Sequence, residues 1–186
     1  MKNITIFGKG NMGKVIAVRF EKAGNTVTLL GSKDEVSAIG DIVVLAVPYA
    51  AVASILEANK DKLNGKIIVD ITNPVNFATM DDLLVGADSS VSEAIAHALP
   101  KASVIKAFNT NFASTLAGDA PTNVLLASND EDAKATLTSA LEGSGLVLVD
   151  AGSLKRAREL EALGFLQITL AIRGKIGWTG GFALEK

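Results

Sequence analysis

The sequence predicts an α/β fold, a doubly wound, mostly parallel sheet that is abbreviated after its second strand and followed by a C-terminal helical extension. Three observations predict it. Short aliphatic runs alternate with stretches whose apolar residues recur at helical spacing, the pattern of successive strand–helix units. Apolar residues make up 48% of the chain and are mostly Ala, Val, Leu and Ile, with 5% aromatics; that composition suits a parallel sheet buried on both faces. A glycine-rich turn joins the first strand to the first helix.

Residues 4–7 form a short apolar run that stops at Gly8. Over 11–23, Met12, Val15, Ile16, Val18 and Phe20 fall at helical spacing, and Gly24 follows as a left-handed cap would. Residues 26–30 read as the second strand, β-branched at its start, and 42–47 as the third. Only residues 31–41 lie between them, where a full dinucleotide-binding half would hold a helix and another strand; one unit is expected to be cut down. Helices near 49–59 and 90–99 alternate with strands at 66–70 and 104–108. Strands at 124–127 and 146–149 flank a helix over 130–142, acidic in its first turn and closed by Gly143. From Ser153 to about Arg173 a long aliphatic helical pattern runs through Leu154, Ala157, Leu160 and Leu163, and a glycine-rich stretch, 174–182, follows. One domain is expected over 1–186, with a C-terminal helical segment from about 153 to 186. That helix must bury its apolar face on its own domain or on a second copy, and a homodimer is the expectation.

Composition excludes several functions. The formal net charge is −2, so no electrostatic partnership with nucleic acid or anionic lipid is expected. The chain has no cysteine and one histidine, which removes disulfides, thiolate metal sites, cysteine nucleophiles and multi-histidine metal centres. No metal site is expected, because no carboxylate spacing suggests one. Residues 1–5 enter a strand-like run with no signal-peptide pattern, and the apolar runs are too short to span a bilayer. A cytoplasmic chain with no membrane partner is expected.

Gly8, Gly10 and Gly13 form Gly-x-Gly-x-x-Gly, with Lys9, Asn11 and Met12 between them. Alone the pattern is common. Here it follows a strand and opens a helix within a strand–helix–strand unit of about thirty residues, the context of a Rossmann dinucleotide site. The first glycine permits the tight turn, the second a close approach of backbone to pyrophosphate, and the third close packing of helix on strand. The helix N-terminus offers free N–H groups to the phosphates. A glycine-rich turn that binds nothing is the plainer alternative. Cofactor choice is read at the end of the second strand, where NAD enzymes place a carboxylate about twenty residues beyond the turn. This chain has Gly31, Ser32 and Lys33 there. A hydroxyl and an ammonium attract a 2′-phosphate, which favours NADP over NAD. Asp34 and Glu35 follow closely, so a shifted register could still offer a carboxylate, and Lys33 could be a solvated surface charge.

The ligand in such a sheet crosses the carboxyl ends of the strands. Ala46, Val47, Pro48 and Tyr49 end one strand and begin a helix, with Pro48 a wall for a flat ring and Tyr49 available to stack on it or to donate a proton. Thr72, Asn73 and Pro74 end the next, with a hydroxyl and an amide able to bond a carboxamide or ribose. Asn109, Thr110 and Asn111 end a third. No acid–base pair stands at these ends, and His97 falls in a helix away from them, more simply a surface or packing residue. Hydride transfer to a flavin-like ring needs no ionised catalyst, because positioning does most of the work.

Together these residues resemble the NADPH-dependent F420 reductases (F420H2:NADP oxidoreductases), whose fold also forms the cytoplasmic domain of the STEAP ferric reductases. The likeness is carried by the 8–13 turn, Gly31-Ser32-Lys33, Val47-Pro48, residues 70–74, VIKAFNT at 104–110 and DAGSLKRAREL at 150–160. It implies NADP held by the turn, with its 2′-phosphate on Ser32 and Lys33, where family members often carry Arg. It implies a nicotinamide near Val47-Pro48 and Asn73-Pro74 with Asn109 close by, and a dimer formed through the C-terminal helices. The expected activity is NADP(H)-dependent hydride transfer to a flavin, deazaflavin (F420) or similar acceptor, the alternative being a non-catalytic NADP-binding sensor or interaction module.

Overall fold

The computed structural model describes residues 1–182 and Leu184. Seven strands, β1 (Asn3–Phe7), β2 (Thr26–Leu30), β3 (Ile42–Leu45), β4 (Ile67–Asp70), β5 (Ser103–Ala107), β6 (Thr122–Ser128) and β7 (Leu146–Asp150), form one sheet in the order β2-β1-β3-β4-β5-β6-β7. Six α-helices among the described residues connect and cover it: α1 (Asn11–Lys22), α2 (Tyr49–Leu63), α3 (Val91–Ala98), α4 (Ala113–Ala117), α5 (Glu131–Ala140) and α6 (Ala157–Ile172). The chain passes from β2 to β3 with no helix between, as the short 31–41 stretch requires, and returns to pair β3 with the other side of β1. The reversal of strand order at β1 is the switch point where ligands of such sheets bind.

The side-chain alternation of the central strands splits the core into two layers. Ile4, Ile6, Ile42, Val44, Val69 and Ile105 pack with Ile16, Phe20 and Leu137 of α1 and α5 on one face. Val43, Leu45, Ile68 and Val104 pack with Val52, Leu56, Val91, Ile95 and Ala157 of α2, α3 and α6 on the other. A strand buried on both faces reads as a continuous aliphatic run, which is why 42–45 and 67–69 carry no polar alternation. Buried Arg19 fixes α1 against α4: its Nε donates to Leu116 O and its Nη1 to Ser144 O, both at 2.7 Å, and its Nη2 to Gly118 O.

One pair departs from the parallel rule. β6 runs antiparallel to β5, with Ile105 opposite Ser128 and Ala107 opposite Leu126. A parallel pair needs a crossover that carries the chain back to the opposite edge; here the connection holds only the five-residue α4 and re-enters the sheet at the edge it left. The ten-residue α5 restores a parallel crossover to β7. The C-terminal helix ends at Ile172, and residues 174–182 are irregular. Of the expected helical segment to 186, Ala183, Glu185 and Lys186 lie outside the described residues. No described helix is long and apolar enough to cross a membrane.

Candidate functional site

The carboxyl ends of β1, β3, β4 and β5 carry two pockets, and neighbouring residues of the turn into α1 line them both. The first, about 790 Å³, is floored by Gly8, Lys9 and Gly10 and walled by Leu30, Gly31, Ser32, Asp34, Ala46, Val47 and Pro48. Each glycine of the turn has its own geometric reason. Gly8 has φ +117°, and a Cβ there would lie 2.0 Å from Ala46 O. A Cβ on Gly13 would lie 2.0 Å from Gly8 O, so helix and turn meet only because that atom is absent. A Cβ on Gly10 would have nothing within 4 Å, which leaves the approach to the backbone open. No side chain caps α1, and its first turn holds no acidic residue. Its terminal N–H groups are therefore free to receive an anion, and the donor set fits a pyrophosphate.

The second pocket, about 500 Å³, is lined by Asn11, Met12, Asn73, Asn109 and Asn111, by the rings of Phe77, Phe108, Phe112 and Trp178, and by Ile71, Ile168 and Ile172. None of the described residues that line it is ionisable. Asn73 and Asn109 bond reciprocally: Asn73 Nδ2 donates to Asn109 O at 2.8 Å, and Asn109 Nδ2 donates to Asn73 Oδ1 at 3.0 Å and to Leu160 O at 2.7 Å. Asn109 Oδ1 is buried and unpartnered. A buried acceptor without a donor is costly, and a ligand N–H at this place would satisfy it. Phe108 sets this geometry with φ +62°, a conformation rare for a bulky residue, and the Asn109 N–H reaches back to Ala107 O at 2.8 Å. The resulting three-residue turn swings Asn109 out of line with β5, local strain of about 1–3 kcal/mol that the buried surroundings hold in place. Gly164 lets α6 come this close: a Cβ there would lie 2.5 Å from Asn73 Oδ1 and 2.9 Å from Asn109 O. The irregular tail closes one side. Ser114 Oγ donates to Trp178 O, Thr115 Oγ1 donates to Gly180 O at 3.2 Å, and the Trp178 ring packs on Phe112 at 5.0 Å.

Beneath the pair lies a fully buried ionic cluster. Lys106 Nζ donates to Asp70 Oδ2 at 2.9 Å, Glu161 Oε1 at 2.8 Å and Thr72 O at 2.6 Å. Ser92 Oγ donates to Asp70 Oδ2 at 2.7 Å, and the Val91 N–H donates to Glu161. Burial pushes the Glu161 carboxyl above its usual range, against the pull of the Lys106 ammonium. The cluster joins the ends of β4 and β5 to α3 and α6, and so fixes the loop that carries Asn73.

Of the residues expected at the site, Gly8, Lys9, Gly10, Ser32, Ala46, Val47 and Pro48 line the first pocket, and Asn11, Met12, Asn73 and Asn109 the second. Gly13 is buried under the turn. Four lie elsewhere. Lys33 is exposed and outside the cleft lining; the charged residues that line it are Lys9 and Asp34. Tyr49, in the first turn of α2, lies in the groove between α2 and α3 and faces neither pocket. Thr72 turns inward, its hydroxyl donating to Asp70 Oδ1 at 2.8 Å, so it is committed to the buried cluster and not offered to a ligand. Pro74 is buried. His97 is exposed on α3. Sequence reasoning missed Lys106 and Glu161; a lysine inside the otherwise aliphatic run VIKA was the available signal, since a charge in a central strand requires a buried partner.

Comparison with known proteins places this geometry. Residues 30–74 match the family model described as NADP oxidoreductase, coenzyme F420-dependent. The F420-dependent NADP reductase of Methanocaldococcus jannaschii is 34% identical over 148 residues, covering 76% of this chain and 66% of its own length. Metalloreductase STEAP3 of Rattus norvegicus is 29% identical over 184 residues, covering 86% of this chain and 36% of that protein. The chain thus spans slightly under two thirds of the archaeal relative and about a third of the metalloreductase. Among solved structures, a candidate F420-dependent NADP reductase from Arthrobacter sp. FB24 superposes with a TM-score of 0.79 at 26% identity, over 94% of this chain and 96% of that one. The glycine turn and these likenesses agree: the chain is related in sequence and fold to the F420-dependent NADP reductases.

Proposed function

We propose that this chain is an NADP(H)-dependent oxidoreductase that transfers hydride between the nicotinamide and a flat acceptor, a flavin or a deazaflavin such as F420. The observation that carries the reading is that consecutive residues line the two pockets: Gly10 lines the first, and Asn11 and Met12 line the second. A dinucleotide whose pyrophosphate lies on the turn can reach from one into the other. The names of the archaeal and Arthrobacter relatives support the same activity. When bound, the nicotinamide supplies or accepts the hydride.

The chain's own residues supply binding, orientation and exclusion of water. The α1 N-terminus holds the phosphates. Asn109 Oδ1, buried without a donor, accepts from the carboxamide of the ring or from an acceptor N–H. Phe112, Met12 and Trp178 give a flat ring apolar faces and keep water from the transfer. None of the described lining residues carries an ionisable group to protonate a carbonyl or an imine, which suits an acceptor whose ring delocalises the incoming electron pair and takes its proton from solvent. The same lack of an ionisable group favours the second reading, an NADP-binding sensor. Oxidation of NADPH in the presence of F420, FMN, FAD and riboflavin, followed at the reduced-nicotinamide absorbance, separates them. Turnover with at least one acceptor is expected; tight NADPH binding with no turnover would leave the sensor.

The reading extends to a homodimer through α6. Leu166 and Ile172 are about half exposed on that helix, and Phe182 and Leu184 are exposed beyond it. A helix apolar on both faces needs cover on both. Sedimentation should give a dimer that Leu166→Glu converts to monomer; a wild-type monomer would end this part of the proposal. A cytoplasmic setting belongs to the same proposal and is checked by cell fractionation.

A further inference from the structure

We infer that Lys9 is the cation that receives the 2′-phosphate of NADP and that Asp34 is the internal counter-ion this phosphate displaces, so the pair sets the choice of cofactor. The inference rests on the NADP reading above and moves the decisive charge away from Lys33.

Among the described residues two charged side chains line the dinucleotide cleft, Lys9 and Asp34, and they pair with each other, Nζ to Oδ2, at 2.5 Å. Lys9 leaves the glycine turn at the end of β1 and crosses to the end of β2. Its Cδ and Cε lie 3.4 and 3.7 Å from the place a Cβ on Gly31 would take. The ammonium therefore stands over the strand end that, in a strand–helix–strand dinucleotide unit, faces the adenosine ribose. Asp34 Oδ2 also accepts from the Gly31 N–H at 2.8 Å. One carboxylate oxygen thus occupies two donors, an ammonium and a backbone N–H, that a phosphate oxygen at the same strand end would use. Ser32 lines this cleft too, whereas Lys33 does not.

The exchange is open on physical grounds. The two side chains are 51% and 38% exposed, and an ion pair in water is weakly held. The Gly31 N–H, then Lys9, hold the Asp34 carboxyl below its usual range, so near neutral pH it is a single negative charge. A phosphate monoester there carries between one and two negative charges and has three acceptor oxygens. It therefore outcompetes the carboxylate for the ammonium, and the released loop 31–36 need only let Asp34 turn to solvent. With a cofactor that lacks the 2′-phosphate, Lys9 and Asp34 stay paired and Lys9 adds nothing to binding.

The test is calorimetric titration of the full chain with adenosine 2′,5′-bisphosphate and with 5′-AMP, for wild type, Lys9→Met and Asp34→Asn, with circular dichroism to show that each is folded. Wild type should prefer the bisphosphate. K9M should lose about tenfold for the bisphosphate and little for 5′-AMP, the size of one charge-assisted bond. D34N should raise the preference by about threefold, the scale of one exposed charge. A preference unchanged in K9M, or equal to or below wild type in D34N, overturns the inference while the NADP reading stands. Wild type binding both ligands equally would overturn both, and wild type binding neither would remove the dinucleotide site itself.

Discussion

Replacing Lys106 by methionine removes one charge from a site with no access to water and keeps most of the side-chain volume. In the native chain the ammonium donates to Asp70, Glu161 and the Thr72 carbonyl at 2.6–2.9 Å, and Lys106, Asp70 and Glu161 are all 0% exposed. Without it two carboxylates share one buried site with no cation. Removing one partner of a buried pair costs about 3–5 kcal/mol, most of it the uncompensated charge left behind. For a chain of this size that corresponds to a fall in Tm of about 6–20 °C. Urea unfolding at neutral pH measures it directly. Because the cost is mainly charge, K106M/E161Q should recover at least about 1 kcal/mol of the loss. A K106M loss below about 1 kcal/mol would overturn this expectation, since that is the range of an exposed pair. So would a double variant no more stable than the single one, which would show that lost packing and not charge sets the cost.

Three further outcomes follow from single positions. Gly8→Ala needs a backbone near φ +117° and places a Cβ 2.0 Å from Ala46 O; dinucleotide binding should fall at least about 100-fold with a stability loss of about 1–3 kcal/mol, read by NADPH fluorescence titration and thermal melting. Gly164→Ala gains about 1 kcal/mol of helix propensity in α6 but drives a Cβ to 2.5 Å from Asn73 Oδ1, so NADPH affinity should drop while stability changes by less than about 2 kcal/mol; unchanged affinity would remove the Asn73–Asn109 pair from the site. Stability should also depend on pH through Glu161, whose folded pKa is raised above 4.5. A carboxyl raised on folding contributes stability that is full below its unfolded pKa and is lost as pH rises through the folded value. Urea midpoints should therefore decline as pH climbs from about 4.5, and the decline should be smaller in Glu161→Gln.

The parts of this molecule that were legible in the sequence are those set by neighbours along the chain. The aliphatic runs 42–45 and 67–69 lie in strands buried on both faces, and the turn at 8–13 needs its glycines for reasons local to the turn and β3. The missing helix after β2 followed from counting residues between Leu30 and Ile42. What the sequence hid depends on distance in the chain. Lys9 meets Asp34 across 25 positions and Lys106 meets Glu161 across 55, and neither pairing has a local signature. Thr72 and Tyr49 sit at the right strand ends but point away, Thr72 because buried Asp70 claims its hydroxyl and Tyr49 because the first turn of α2 rotates it towards α3. The antiparallel entry of β6 follows from a connection too short to cross the sheet, and its aliphatic residues read alike in either direction.

A crystal structure of the chain with NADP+ would show whether the two pockets hold one dinucleotide. The pyrophosphate should lie on the N–H groups of α1, the 2′-phosphate beside Lys9 and Ser32, and the nicotinamide should enter the pocket of Asn73, Asn109 and Trp178 with one face open to a second ring. A dinucleotide bound elsewhere, such as the groove between α2 and α3, or a nicotinamide whose two faces are both covered by protein, would contradict it.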